Sequence, residues 1–478
     1  MGVSACSSLP IFPSRLPADR PSTGVFATDM NKLPRKSRAS PRSSVYDRAM
    51  TENGRTSPPV AEPKREGFFR RLGPGLITGA ADDDPSGIGT HSQVGAQFGY
   101  GLAWTFVLSF PLMVVIQDVA AEIGRVTGAG IARNLKRHYP RPLLWAMVFL
   151  LLVANIVNLG ADLSAMGAAL QLLTGGSAAL YTLLFGIGCV ILEVALSYPR
   201  YAAILKWTTL SLFTYVAVVA VAGVPWAQAL RALVVPEIQW NAAYATAMVA
   251  ILGTTISPYL FFWQAAQEIE EQHRRHAKPL CVAPREAGPE LARIRMDTLT
   301  GMAFSAIVSL AIVFATAATL HAQGITDIAT SAQAAEALRP IAGQFAFAMF
   351  ALGIIGTGLL AVPVLAGSAA YAATEMVGVA GSLDAKPLSA RLFYATIAVM
   401  TLGGASLNYV GIDPVRALYW SAVVNGVLAT PLMVVMMLIV RNPRAMGRLT
   451  LPLRPTILGW GATLVMLAAT LIFFAFAL

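Results

Sequence analysis

Charge is scarce in this chain. Of its 478 residues only 13% are Asp, Glu, Lys or Arg, while 56% are hydrophobic, and the mean hydropathy is +0.61. A soluble domain carries about 25% charge, so a freely soluble globular protein is excluded. Cysteine and histidine are scarce as well. Cys6, Cys189 and Cys281 lie far apart with no CxxC pair, and the five histidines are scattered. That spacing excludes a Cys/His zinc module and a disulfide-dense scaffold. No basic run is interleaved with aromatics, so the net charge of +10 does not read as a nucleic-acid surface. No nucleophile–base constellation stands out, and no enzyme or resident cofactor is expected.

What is present is a series of long apolar blocks. With about 20 residues per crossing, eleven spans are predicted: 73–95, 101–124, 142–171, 178–197, 202–224, 242–267, 296–321, 341–371, 390–409, 415–440 and 456–477. Basic residues test the count, because cytoplasmic loops concentrate Lys and Arg. Arg125, Arg133, Lys136, Arg137 and Arg141 separate spans 2 and 3, and Arg274, Arg275, Lys278, Arg285, Arg293 and Arg295 separate spans 6 and 7. The alternate loops carry none or one, such as Arg231 between spans 5 and 6. The alternation predicts a cytoplasmic amino terminus and an outside carboxyl terminus, in an integral protein of the plasma (inner) membrane. Residues 1–67 are polar, with PRKSRASPRSS at 34–44. They read as a disordered basic cytoplasmic arm; a targeting segment, or a start at Met30 or Met50, stays open. The expected organisation is this arm, a five-helix repeat at 68–224, a second at 242–440 and an extra helix at 456–477.

The stretch LGPGLITGAADDDPSGIGTHSQVG at 72–95 does not look like a regular membrane helix. Asp82, Asp83 and Asp84 sit in its middle and Pro85 follows. Each mid-membrane carboxylate costs about 2.5–3.5 kcal/mol on insertion scales, which makes it a functional-site hypothesis by default. Proline removes a backbone donor and disfavours helix at the residue before it. Charges and breaker coincide, which predicts an unwound helix with a cation site in the gap. Span 6 holds a second interruption, GTTISPY, with Gly253 and Pro258. Spans 1 and 6 each open a set of five, and paired interruptions in two halves mark an inverted-repeat transporter.

At these motifs the chain resembles the Nramp family of divalent metal-ion transporters. Asp84-Pro85-Ser86-Gly87 stands where that family has Asp-Pro-Gly-Asn, Ala161-Asp162-Leu163-Ser164 resembles its Thr-Asp-Leu-Ala, and Ser257-Pro258-Tyr259 stands at its Met-Pro-His. GPGLITG and QDVAAEIGRVTG resemble family segments too. The resemblance spans about residues 68–440. It implies an all-α polytopic fold with two inverted five-helix repeats (LeuT-type) and broken helices 1 and 6. It also implies that Asp84 is the central ligand, with Thr254, Ser257, Gly87 (backbone only) and the carbonyl of Ala81 around the metal. The family's Asn and Met ligand positions are Gly87 and Ser257 here, so the amide and the soft thioether are gone. Carboxylate, hydroxyl and carbonyl donors suit Mg²⁺ or Mn²⁺. The family's proton-carrying His position is Tyr259, and of its helix-3 acids one remains as Asp162, so proton coupling is in doubt. Asp82 and Asp83 are additional acids that read as second ligands, proton acceptors or vestibule residues.

Several other groups have bland readings. Asp162 is open to satisfaction by Asn158 or by neighbouring hydroxyls, Glu193 to pairing with Arg200 or Lys206, and Glu122 to an i,i+3 pair with Arg125. Asn425 either lines the cavity or bonds a neighbouring helix. The run EIEEQHRRH at 268–276 reads as a solvated loop. The expected function is import of a divalent cation by alternating access through the bilayer, with the oligomeric state open. The alternatives are an inverted-repeat transporter of another substrate, such as an amino acid with Na⁺, and a non-transporting membrane sensor or scaffold.

Overall fold

The computed structural model describes residues 74–195, 213–328, 330–411 and 413–477. The arm at 1–67 and the proposed partners of Glu193, Arg200 and Lys206, lie outside them. Among the described residues there is no strand. The principal helices, numbered in chain order, are α1 Pro74–Asp82, α2 Pro85–Phe98, α3 Trp104–Thr127, α4 Ile131–His138, α5 Arg141–Thr174, α6 Ala178–Ala195, α7 Phe213–Val221, α8 Ala242–Thr255, α9 Pro258–Arg274, α10 Ala287–Thr319, α11 Ala346–Val377, α12 Arg391–Ser406, α13 Pro414–Arg441 and α14 Leu453–Ala477. Eight stretches among the described residues are long and apolar enough to cross a membrane, with α8 and α9 counted as one. The other three expected spans are shorter: α1 and α2 are half-helices, α7 is described only from Phe213, and α12 has 16 residues.

Both predicted breaks are present, and both have the same local cause. α1 ends at Asp82 and α2 begins at Pro85, with Asp84 as N-cap in extended backbone. α8 ends at Thr255 and α9 begins at Pro258, with Ser257 as N-cap. A proline lacks the N–H that would bond the preceding turn, yet fits the first position of the new helix, where that N–H has no partner anyway.

Glycines set how the broken helices pack. A Cβ on Gly79 of α1 would lie 2.2 Å from the Gly301 carbonyl oxygen of α10. A Cβ on Gly253 of α8 would lie 2.1 Å from the Ala422 carbonyl oxygen and 2.3 Å from the Gly426 nitrogen of α13. Only glycine admits such backbone contact, which is how membrane helices gain packing energy without a hydrophobic drive between them. The α8–α9 stretch is central, with 89% of its most apolar window buried, whereas the corresponding figure for α6 is 22%.

Two expectations are corrected at one end of the bundle. The 268–276 run is not a solvated loop: α9 continues to Arg274, and Glu268 and Glu270 are buried. Glu268 accepts from Arg293 at 2.6 Å and Glu270 from the Tyr371 hydroxyl at 2.9 Å. Nor does Glu122 pair with Arg125. Glu122 bonds Arg295 at 3.1 Å, beside Asp118 at 3.4 Å. Arg125 turns instead to Glu290, Gln272 and the Lys278 carbonyl. Burial explains the exchange: a carboxylate removed from water needs a partner that packing delivers, and α10 delivers Arg293 and Arg295 where the sequence neighbour points elsewhere.

Candidate functional site

The break in the first helix leaves backbone groups without helical partners, and the side chains around it take them up. Asp84 Oδ1 accepts the Gly87 N–H at 2.6 Å, an N-cap that starts α2. Its Oδ2 accepts from Asn158 Nδ2 of α5 at 3.1 Å and from the Tyr259 hydroxyl of α9 at 3.1 Å. Tyr259 also reaches the Ala81 carbonyl at 3.2 Å. Asn158 in turn accepts from Asn425 Nδ2 of α13 at 3.5 Å. The carboxylate is 2% exposed on a residue basis and is held by donors from three helices. Such donors compensate part of the cost of burying a charge.

Asp162 does not bond Asn158. Its Oδ1 accepts the Ser86 N–H at 3.1 Å, which ties α5 to the first turn of α2. Its Oδ2 is buried with no hydrogen-bond partner among the described residues. The Ser86 hydroxyl meets the Leu418 carbonyl and Ser421 of α13 at 3.2 and 3.0 Å. Asp82 and Asp83 turn the other way, toward α10. The Ser305 hydroxyl donates to Asp82 Oδ2 at 2.6 Å, and the Ser309 hydroxyl to Asp83 Oδ1 at 3.2 Å. Asp82 Oδ1 and Asp83 Oδ2 have no partner among the described residues. The three adjacent carboxylates therefore face two different surroundings.

Beside Gly87 lies a small space lined by oxygen. The point a Cβ would occupy is 3.2 Å from the Asp82 carbonyl oxygen, 3.4 Å from Thr254 Oγ1 and 3.5 Å from Asp84 Oδ1. Asp84, Gly87 and Thr254 meet here across the two breaks. The Asp82 carbonyl is at the C-terminal end of α1, the negative end of that helix's dipole. Ser257 is adjacent but its hydroxyl is engaged, donating toward the Gly253 and Thr254 carbonyls at 3.0 and 2.9 Å. Ala81 contributes a carbonyl already met by Tyr259. No group of three or more His, Cys, Asp or Glu that would hold a metal occurs among the described residues. The available donors are one or two carboxylates and neutral oxygens, a hard set.

Sequence reasoning missed Ser305 and Ser309. Their signal was an i,i+4 pair of hydroxyls in an apolar helix, which places both on one face. It also missed Gln264, whose amide oxygen takes the Thr78 hydroxyl and links α9 to α1.

The comparisons agree with this architecture. The family model described as "Natural resistance-associated macrophage protein-like" (Nramp) matches residues 75–475. A "Divalent metal cation transporter MntH" from Chromohalobacter salexigens is 29% identical over 316 residues, 62% of this chain and 68% of that protein. One from Klebsiella pneumoniae is 26% identical over 401 residues, 81% and 90%. Among solved structures, the Eremococcus coleocola manganese transporter superposes with a TM-score of 0.66 at 16% identity, covering 86% of this chain and 87% of that one. MhsT in complex with L-phenylalanine follows with a TM-score of 0.54 at 14% identity, covering 84% and 98%. At these identities the structures speak for the fold alone, and that fold is the inverted-repeat LeuT-type arrangement with helices 1 and 6 broken. The chain belongs to the Nramp family, a family of integral membrane transporters and not of enzymes.

Proposed function

We propose that this protein moves a divalent metal cation toward the cytoplasm by alternating access, with the cation held at the paired helix breaks. The observation that carries the reading is the oxygen-lined space beside Gly87, where Asp84 Oδ1, Thr254 Oγ1 and the Asp82 carbonyl converge. Asp84 supplies the charge. The carbonyl of Ala81 and the hydroxyl of Ser257 complete the set when Tyr259 and the α8 carbonyls release them. The names of the relatives support a divalent substrate. With neither thioether nor amide at the break, the donors favour Mg²⁺ or Mn²⁺ over softer metals, and Mg²⁺ in particular retains several waters when bound.

Proton coupling is not required for uptake. The membrane potential favours entry by about 2.3 kcal/mol per charge per 100 mV, and a dication carries two charges. Asp162 is the relay if protons do move, because it touches Ser86 directly after the Asp84–Pro85 pair. The orientation proposed places α4 in the cytoplasm. Its basic face is concentrated: burial, then the charges of Arg137 and Arg444, lowers the pKa of His138. Such a surface suits the anionic cytoplasmic leaflet.

Uptake into proteoliposomes tests the reading. Mg²⁺ or Mn²⁺ should enter, and Asp84→Ala should stop it. Neither metal entering, or full uptake by the variant, sinks the proposal. Luminal pH recorded in the same vesicles decides the role of Asp162, since metal entry with no pH change removes it as a relay.

A further inference from the structure

Two cavities near the outer half of the broken helix share part of their lining. The larger, of about 450 Å³, is lined by Gln93 and Gln97 of α2, Thr246 of α8, Asp327, and Arg416 and Tyr419 of α13. Liquid water occupies about 30 Å³ per molecule, so this vestibule has room for a dication with its full first hydration shell. The smaller, of about 10 Å³, holds about one water and lies among Gly89, Ala165, Phe350, Ile354 and Leu418. Its lining is tied to the residues after the break: Gly89 is two residues beyond Gly87, the Leu418 carbonyl accepts the Ser86 hydroxyl, and Ala165 is three residues beyond Asp162. Ile328 and Val415 line both cavities. Val415 is fixed in the first turn of α13, where Asp413 caps its N–H at 2.9 Å. Ile328 sits in the segment between α10 and a short helix at Ser331–Glu336, yet is only 1% exposed.

One residue of the broken helix holds that segment down. Gln93 Nε2 donates to the Thr326 carbonyl at 3.3 Å, and Gln93 Oε1 accepts the Ile328 N–H at 2.9 Å. Both ends of one amide thus grip the backbone on either side of Asp327. Gln93 lies two turns beyond the break, on the same half-helix as Ser86 and Gly87. We propose that Gln93 is a positioning residue that latches Ile328 as a plug between the vestibule and the metal site, and that tilting of α2 releases it. The plug is apolar, so it excludes a hydrated ion until the latch opens. The latch is part of the element that carries the site, so opening is coupled to the geometry at Asp84. This rests on the transport reading for its purpose, but its test does not.

The test is solvent access to the small cavity. In a background with Cys6→Ser, Cys189→Ser and Cys281→Ser, Ala165→Cys reports from the smaller cavity, and Leu418→Cys is a second reporter if the first fails to fold. A membrane-impermeant cationic methanethiosulfonate is applied to proteoliposomes, and the modification rate of the reactive fraction is read. Adding Gln93→Ala removes both hydrogen bonds and should raise the rate about tenfold. Gln93→Glu keeps the acceptor for Ile328 N–H but cannot donate to Thr326, and should fall between. Ile328→Ala removes the plug and should match or exceed Gln93→Ala. Rates in Gln93→Ala and Ile328→Ala equal to the parent overturn the proposal. Labelling needs no metal movement, so raised rates in vesicles that take up neither Mg²⁺ nor Mn²⁺ uphold the latch while the transport reading fails.

Discussion

The Tyr259 hydroxyl stands 3.1 Å from Asp84 Oδ2 and 3.2 Å from the Ala81 carbonyl, on the two sides of the first helix break. It carries one proton and faces two acceptors, so it satisfies one of them at a time. Tyrosine at the position where the resemblance implies histidine therefore bridges the two broken helices, α1–α2 and α8–α9, through neutral hydrogen bonding.

The charge and the cap of Asp84 separate experimentally. Asp84→Asn keeps a good N-cap for the Gly87 N–H and removes the negative charge. Uptake should fall at least about 100-fold, because a hard dication loses its charged ligand, while thermal stability stays within about 1 kcal/mol. A variant that is strongly destabilised but transports normally would mean Asp84 is a cap alone.

Gly87→Ala should slow the protein. The new methyl meets the Asp82 carbonyl oxygen at 3.2 Å, tighter than an ordinary Cβ contact, so that backbone must give by a few tenths of an ångström, which offsets the roughly 0.5–1 kcal/mol that alanine gains over glycine in a helix. The same methyl occupies the oxygen-lined space. The expected result is a raised KM for Mn²⁺ or Mg²⁺ uptake by protein that still folds. Unchanged KM would place the cation elsewhere.

Ser257→Met restores a thioether beside the gap. Soft metals should gain on hard ones, read as at least about tenfold better competition by Cd²⁺ against a Mn²⁺ tracer, equivalent to about 1.4 kcal/mol. Identical competition curves would show that residue 257 does not contact the metal.

Gly253→Ala should be costly for the fold. Its Cβ would lie 2.1 Å from the Ala422 carbonyl oxygen, and backbone cannot step aside as a side-chain tip can. Overpacking of this kind costs about 1–3 kcal/mol. Unfolding of the detergent-solubilised protein reads the loss, with Gly288→Ala, which meets nothing within 4 Å, as the neutral comparison.

Two arginines at ion pairs should differ sharply. Arg293 pairs at 2.6 Å with Glu268, whose side chain is fully buried, whereas Arg339 and Glu336 are 68% and 32% exposed. Arg293→Ala strands a buried carboxylate and should cost about 3–5 kcal/mol. Arg339→Ala should cost under about 1 kcal/mol. Equal effects in denaturant unfolding would mean water reaches Glu268.

Some of this was legible residue by residue and some was not. Asp84-Pro85 announces its own break because both residues oppose a continuous membrane helix for separate reasons, one through φ and the missing N–H, the other through charge. Gly253 and Pro258 are weaker alone and become informative by pairing with the first break. The partners of the acids were not legible. Ser305 is 223 residues from Asp82, and nothing in FSAIVSLAI says which helix its hydroxyl face meets. Glu122 misled because Arg125 is its neighbour in sequence, while its partner Arg295 is 173 residues away.

By itself the sequence determined what depends on local chemistry: that the chain enters a bilayer and where its helices break. Tertiary structure decided what depends on long-range packing. It turned Asp84 toward Asn158 and Tyr259 and its neighbours Asp82 and Asp83 toward Ser305 and Ser309, and it drew Thr254 to the side of Gly87. It also laid Ile328 under the amide of Gln93. The physical reason is that a half-helix cap is set by the residues beside it, whereas the orientation of a buried carboxylate is set by whichever donors the packed helices bring within about 3 Å.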